Sequence, residues 1–517
     1  MNFFEKSGEV KYTEDILKLI GAESLLFVRG MNILDYMTTD TEILEKRADI
    51  FADTVKVDGL YDLVKYMVNQ LEYISEMVRK QSDIDAGERS LYSVKQLELY
   101  FDIVDRAEEF YVLHYSELGA EYYRELFLKV HEIAVSSEYE SLKKGTRKLM
   151  TDITRVKSIS IGFNFNSSLT PYEAGVLSVN PYYIESGDLI DRILRTDLSK
   201  NDMSLAPLVP AKPACKESEF TALEASIYTA MNKIFKKQIK QWEVRINAYM
   251  GGKLGFLLDT LPDFKLIVKI VSIQNNIQAA CQKLSLKLKK PTYRAMEERV
   301  FRGYGMYNPT LAVKIAERGE GVVIKNDFTF DDKGMVYLLT GPNNGGKSVF
   351  MSCVCIIQIM AQLGMMTPAA QLEISPVSGI FIHFQQYNAI NEYGRLADEC
   401  IRISKIFKEA DEYSAAFFDE TFSSTDVRDA VNLSENVLSA LMYKRIRAVY
   451  STHMHELESY TEKINDEFGG GLDYLTAGIT ESGIRTYRIE RVRPSGESWG
   501  KSVAEKYGIS YDELISG

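Results

Sequence analysis

Met335-Val336-Tyr337-Leu338-Leu339-Thr340-Gly341-Pro342-Asn343-Asn344-Gly345-Gly346-Lys347-Ser348 is an apolar, strand-like run that opens into a glycine-rich loop. Val349 to Leu363 then continues as an apolar helical run, so the pattern GxxxxGK[ST] stands in the strand–loop–helix setting it needs. Each residue type has a physical task there. Gly341, Gly345 and Gly346 let backbone N–H groups curl around phosphate oxygens, with Pro342, Asn343 and Asn344 completing the loop. The helix N-terminus adds partial positive charge, Lys347 neutralises β- and γ-phosphates, and Ser348 can ligate magnesium. A bare glycine turn without a ligand is the competing reading, and the flanking strand and helix disfavour it. A nucleotide with Mg is the expected ligand pair.

Two further strands complete such a site. Ala415-Ala416-Phe417-Phe418-Asp419-Glu420 is an apolar run ending in two carboxylates. Asp419 is expected to hold the magnesium shell and Glu420 to orient and deprotonate the attacking water, because phosphoryl transfer rests on positioning and charge neutralisation. Ala448-Val449-Tyr450-Ser451-Thr452 ends at His453, whose neutral imidazole can sense the γ-phosphate or the water. Taken alone, a histidine in this place is more often structural.

The 517 residues exceed the ~250–300 at which one hydrophobic core stops growing, so at least two domains are expected. With 45% hydrophobic and 26% charged residues the chain is an ordinary globular protein, not a disordered one. A net charge of −12 excludes a uniformly basic nucleic-acid coat, so any DNA contact has to be local. Cys215, Cys281, Cys353, Cys355 and Cys400 make no CxxC pair, which points to reduced thiols rather than a disulfide frame or zinc site. Met1 to Lys6 shows no basic-then-apolar leader and no apolar run reaches ~18 residues, so a cytoplasmic protein with no membrane association is expected.

Outside the loop, apolar residues recur at helical spacing from about Glu14 to His131, as in Val64, Met67, Leu71 and Ile74. At Ser158–Phe165 the period switches to two and predicts a strand. Pro207, Pro210 and Pro213 mark a connector, after which two helices, about 220–250 and 264–288, are expected to form a long antiparallel hairpin. Gly321–Ile324 also reads as strand. The predicted layout is a mainly helical region over 1–290 and an α/β nucleotide domain over 291–517.

Gly-Pro-Asn-Asn-Gly-Gly-Lys-Ser, Phe-Phe-Asp-Glu and Ser-Thr-His-Met-His-Glu-Leu, in this order and spacing, resemble the ATPase domain of the MutS family of mismatch-repair and recombination proteins. Gly364–Ala369, Glu373–Pro376 and the terminal Ser498–Ala504 look like the same family. The resemblance implies an ABC-type P-loop ATPase domain that forms a homodimer, preceded by helical core and lever domains. It also implies the roles already given to Lys347, Ser348, Asp419, Glu420 and His453. This chain departs from the pattern in several places. The family's signature serine, which acts across the dimer, precedes a glutamate aligned with Glu399, and Glu392–Asp398 lacks it. The family's Gly/Thr/Ser-rich loop after the two carboxylates is here Thr421-Phe422-Ser423-Ser424-Thr425-Asp426-Val427-Arg428-Asp429. Phe3-Phe4-Glu5 fits the family's mismatch tripeptide but runs straight into helical sequence, so it is read as coincidence, and the chain is expected to lack the family's extra C-terminal helices.

Lys233, Lys236, Lys237 and Lys240 fall on one face of the first hairpin helix, and Lys283, Lys287 and Lys290 repeat the spacing near the end of the second. Phosphate contact and an ordinary solvated face remain equally open. The function expected is a MutS-like ATPase that couples ATP binding and hydrolysis to movement of helical arms around branched or duplex DNA. The alternative is an ATP-gated protein-interaction switch without DNA binding.

Overall fold

The computed structural model describes residues 4–81, 86–154, 157–165, 171–183, 255–384, 394–423, 425–480 and 484–494, with short pieces at 167, 185–186 and 203–204. The chain divides into two compact units. One comprises the described residues of Met1–Tyr61, Leu118–Tyr122 and Leu266–Gly517, the other those of Asp62–Glu117 and Tyr123–Lys265. This division does not follow a single cut near residue 290.

The first helices are α1 (Ile16–Leu19), α2 (Glu23–Leu26), α3 (Thr41–Lys56), α4 (Leu60–Gln81), α5 (Ala86–His114), α6 (Glu121–Ala134) and α7 (Ser137–Thr154), preceded by the short strand β1 (Lys11–Tyr12). Their origins are visible in the chain. Asp40 caps α3, its Oδ1 accepting from the Glu42 and Ile43 N–H groups at 2.9 and 3.2 Å. In α4 the predicted stripe Val64, Met67, Leu71 and Ile74 is fully buried. The strand expected at Ser158–Phe165 is β2, and it pairs antiparallel with β3 (Pro171–Asn180); β4 (Glu185–Ser186) and β5 (Met203–Ser204) make a second small pair.

Of the expected hairpin, the first arm lies outside the described residues. The second begins after α8 (Gly255–Asp259) as α9 (Leu261–Lys283) and stops five residues short of Leu288. The reason is a left-handed residue at Ser285, φ 54°, with Leu286 N–H bonded to Cys281 O at 2.8 Å and Ser285 N–H to Gln282 O at 3.3 Å. This is a Schellman ending built on serine instead of the usual glycine, with Leu286 and Cys281 both buried beside it.

From there the chain is α/β. The elements are β6 (Thr292–Tyr293), β7 (Phe301–Met306), α10 (Pro309–Arg318), β8 (Asn326–Phe330), β9 (Val336–Thr340), α11 (Lys347–Gln362), β10 (Gln371–Ile374) and β11 (Gly379–His383). After these come α12 (Arg395–Glu409), β12 (Ala415–Asp419), α13 (Val427–Tyr443), β13 (Arg447–Ser451), α14 (Glu458–Phe468), β14 (Leu472–Ile479) and β15 (Arg485–Glu490). Gly321–Ile324 is irregular, and the strand starts only at Asn326. The main sheet runs β1-β11-β12-β13-β9-β14-β15, parallel except at β14/β15, and a smaller sheet runs β6-β10-β7-β8. Strands β9, β11, β12 and β13 are buried throughout, as continuous apolar runs in a parallel sheet require.

The N-terminal residues belong to this sheet. Lys11 and Tyr12 pair in parallel with Gly379 and Ile380, and the Thr13 hydroxyl accepts from Ile382 N–H at 2.9 Å. The segment after Glu5 is therefore irregular chain leading to a strand, not the helical run the sequence predicts. Phe4 is buried, with its ring 5.9 Å from Phe51 and the Arg47 guanidinium 5.7 Å above it.

Candidate nucleotide site

The parallel register places the three motifs side by side. Asp419 is level with Ser451, and Ser451 with Leu339, so the C-terminal ends of β12, β13 and β9 open onto one edge of the sheet. Ligands of open α/β sheets bind in this position. A cavity of about 1110 Å³ lies there, lined among others by Asn343 to Ser348, Asp419 and Glu420.

Backbone conformation shapes the loop. Gly341 has φ 129°, and a Cβ there would lie 2.7 Å from the Ala477 Cβ, so both conformation and space demand glycine. Gly346, φ 94°, caps α11 in a left-handed conformation. Lys347 is 4% exposed, and its ammonium donates to Gly341 O at 2.9 Å and Pro342 O at 3.2 Å. Burial lowers its pKa, against the opposing pull of Glu420 and Asp419. A buried cation whose hydrogen-bonded acceptors are two neutral carbonyls is suited to receive an anion.

Asp419 is buried and its Oδ1 has no hydrogen-bond partner. Burial raises its pKa, and the hydroxyls of Ser348 and Ser451 act in the opposite direction. Among the described residues no group of three His, Cys, Asp or Glu side chains could hold a metal alone. An orphaned carboxylate oxygen with a serine hydroxyl beside it, needing phosphate and water to complete the shell, is the donor set that suits magnesium. The residues present thus fit the ion.

Glu420 follows in left-handed backbone, φ 51°, with its N–H bonded to Ser451 O at 3.1 Å. Its Oε1 shares a hydrogen bond with His453 Nε2, which holds the Glu420 carboxyl below the usual glutamate range against the effect of burial. Both side chains keep about a third of their surface exposed, so solvent reaches the pair. The sign of the pH effect follows. A base with a depressed pKa loses activity only as pH falls through that low value, and removing His453 leaves burial to push the carboxyl up. His453→Ala is expected to lower kcat about 10- to 100-fold and to move the acid limb of the kcat/KM profile to higher pH. An acid limb that stays in place would show that the hydrogen bond does not set the ionisation.

The sequence did not disclose several residues at the site. Leu311 and Ile315 of α10, Val322 and Ile324 of the irregular segment, and Tyr487 form an apolar flank of the cavity. Asn308 ties that flank to the loop helix, with Oδ1 capping Leu311 N–H at 3.1 Å and Nδ2 donating to Val349 O at 3.2 Å. Tyr304, which precedes the loop in sequence, is not among the cavity-lining residues. Tyr307 lines it, with a buried hydroxyl donating to Lys287 O at 3.0 Å. Glu399 is buried, and its Oε2 accepts from Phe422 N–H at 2.7 Å.

The lysine stripes fare differently. Lys233, Lys236, Lys237 and Lys240 lie outside the described residues. Lys283 is the last residue of α9, whereas Lys287 and Lys290 follow the Schellman turn, so helical spacing does not align the three. Buried Leu286 and Leu288 alternate with exposed Lys287 and Lys289, the period of extended chain. The Lys290 ammonium pairs with Asp49. Cys281, Cys353, Cys355 and Cys400 are free thiols, the first three buried. Among the described residues no helix is long and apolar enough to cross a membrane.

Comparison with known proteins points the same way as the motifs. The family model MutS domain V matches residues 337–512. The DNA mismatch repair protein MutS of Oleidesulfovibrio alaskensis is 30% identical over 200 residues, 38% of this chain and 22% of that protein. Its counterpart in Caldicellulosiruptor saccharolyticus is 30% identical over 198 residues, 37% of this chain and 22% of its own length. In Syntrophomonas wolfei the values are 28% over 201 residues, 38% and 23%. The chain spans less than a quarter of the length of these relatives. Residues 337–512 match MutS domain V, and the chain is similar to MutS proteins over about 38% of its length.

Proposed function

We propose that the protein is a MutS-like ATPase with an ABC-type P-loop domain, in which ATP binding and hydrolysis drive movement of helical arms around DNA. The observation that carries the reading is the convergence of buried Lys347, orphaned Asp419 and the Glu420–His453 pair at the ends of three adjacent parallel strands. Lys347 exchanges its carbonyl partners for β- and γ-phosphate oxygens, and the N–H groups of residues 343–348 cradle the phosphates. Magnesium, when bound, supplies charge neutralisation at the phosphates, with Ser348 and Asp419 as its protein ligands. Glu420 accepts a proton from the attacking water and His453 holds the carboxylate in place. The apolar flank with Tyr487 suits the adenine ring. A homodimer through the ATPase domain, in the cytoplasm, belongs to the same reading.

Branched or duplex DNA is the proposed track, without mismatch specificity. Phe3, the aromatic residue of the Phe3-Phe4-Glu5 tripeptide, lies outside the described residues, and Phe4 beside it packs into the protein's own core. The second reading, an ATP-gated switch acting on a protein partner, draws support from Lys290, which is already paired with Asp49, and from the net charge of −12.

Steady-state ATP hydrolysis with no DNA, perfect duplex, mismatched duplex and a four-way junction separates the two. The expected result is stimulation by junction or duplex that weakens as salt rises, because phosphate contacts release counterions, with mismatch equal to perfect duplex. Turnover indifferent to every DNA would transfer the reading to the protein switch. Stimulation specific to the mismatch would restore Phe3 and Glu5 as readers.

A further inference from the structure

The loop that follows β12 passes twice through left-handed backbone at residues that carry side chains. Glu420 has φ 51° and Phe422 has φ 63°. Such backbone is strained for a residue with a Cβ and persists only where its surroundings over-determine it. Here three contacts do so. Glu420 N–H bonds to Ser451 O, Phe422 N–H bonds to the Glu399 carboxylate at 2.7 Å, and the Phe422 side chain, 2% exposed, sits in the core shared with Ile403 and Ile406 of α12.

Glu399 is the unexpected member. It occupies the first turn and a half of α12, is 7% exposed, and lies between the apolar core and the buried Tyr450 hydroxyl, whose ionisation its charge opposes. Leucine would fill comparable space without the desolvation penalty of a carboxylate, so packing does not account for a glutamate. A main-chain N–H two residues beyond Glu420 does account for it. That N–H belongs to a residue in strained backbone and would otherwise be a buried main-chain donor without a partner, a costly state.

We propose that Glu399 is a positioning residue of the hydrolytic site: by holding the Phe422 N–H it keeps residues 420–422 in the turn that aims the Glu420 carboxylate at His453 and the cavity. Glu399 does not touch nucleotide and is no catalytic residue. The inference rests on the reading of Glu420 as the group that activates water.

The test compares wild type, Glu399→Leu, Glu399→Gln and Glu420→Gln for kcat, for the Kd of a non-hydrolysable ATP analogue and for thermal melting. Glu399→Leu preserves volume and removes the acceptor. It is expected to lose about 10- to 100-fold in kcat, the cost of a misplaced catalytic group, with analogue Kd within about threefold of wild type. Glu399→Gln keeps an amide oxygen that can accept the N–H and is expected to retain kcat within about fivefold. Wild-type turnover in Glu399→Leu, equal losses in the leucine and glutamine variants, or a loss that follows analogue affinity or melting temperature would each overturn the proposal. Failure of the underlying reading has its own signature. If Glu420→Gln turns over like wild type, water activation is wrongly placed; if Glu420→Gln is inactive while Glu399→Leu is not, only the positioning role falls.

Discussion

Replacing Glu420 by glutamine is expected to lower kcat for ATP hydrolysis by about 10²–10⁴-fold while leaving ATP affinity near that of wild type, the range set by losing a general base. Shape and hydrogen-bonding reach are kept, and only the capacity to take a proton is removed. The carboxylate is suited to the task by its surroundings. His453 keeps it ionised below the usual glutamate range, and a third of its surface remains open to water. Burst and single-turnover measurements distinguish the chemical step from product release. If the variant binds nucleotide and hydrolyses it at the wild-type rate, Glu420 is not the base.

Lys347→Ala addresses binding instead. A charge-assisted hydrogen bond is worth about 1.5–3 kcal/mol, so loss of the ammonium is expected to weaken ATP and ADP binding about 10- to 100-fold. The nucleotide-free protein behaves differently. Burial already depresses the Lys347 pKa, meaning that the charged form is disfavoured by the fold, so its removal is expected to change the melting temperature little when no nucleotide is present. The rise in melting temperature on adding Mg-ADP, which follows ligand concentration over Kd, is expected to vanish at concentrations that saturate wild type. A thermal shift retained in full would mean that Lys347 does not face phosphate.

How much of this was legible depends on how local each signal is. The loop Gly341–Ser348, β9 before it and α11 after it were readable because conformational demands on glycine, strand period and helix period act over a few residues. The placement of Asp419, Glu420 and His453 at strand ends was readable because each closes a short apolar run of the kind a buried parallel strand carries. The end of α9 was not, since Ser285 adopts a conformation that composition assigns to glycine, and with it went the alignment of Lys283, Lys287 and Lys290. Gly321–Ile324 looked like strand because apolar β-branched residues suit extended chain, yet whether extended chain becomes a strand depends on a hydrogen-bonding neighbour.

By itself, then, the sequence determined a glycine-rich loop between strand and helix, two carboxylates and a histidine at strand ends, and a helical region ahead of them. Tertiary structure decided what these residues experience. The pairing of Lys11 and Tyr12 with Gly379 and Ile380 joins residues 368 positions apart, which no local pattern encodes. The depressed pKa of Lys347, the unpartnered oxygen of Asp419 and the grip of Glu399 on Phe422 likewise arise from burial and from groups brought together across the chain. Desolvation and hydrogen bonding are properties of surroundings, and a residue's surroundings exist only once the chain has folded.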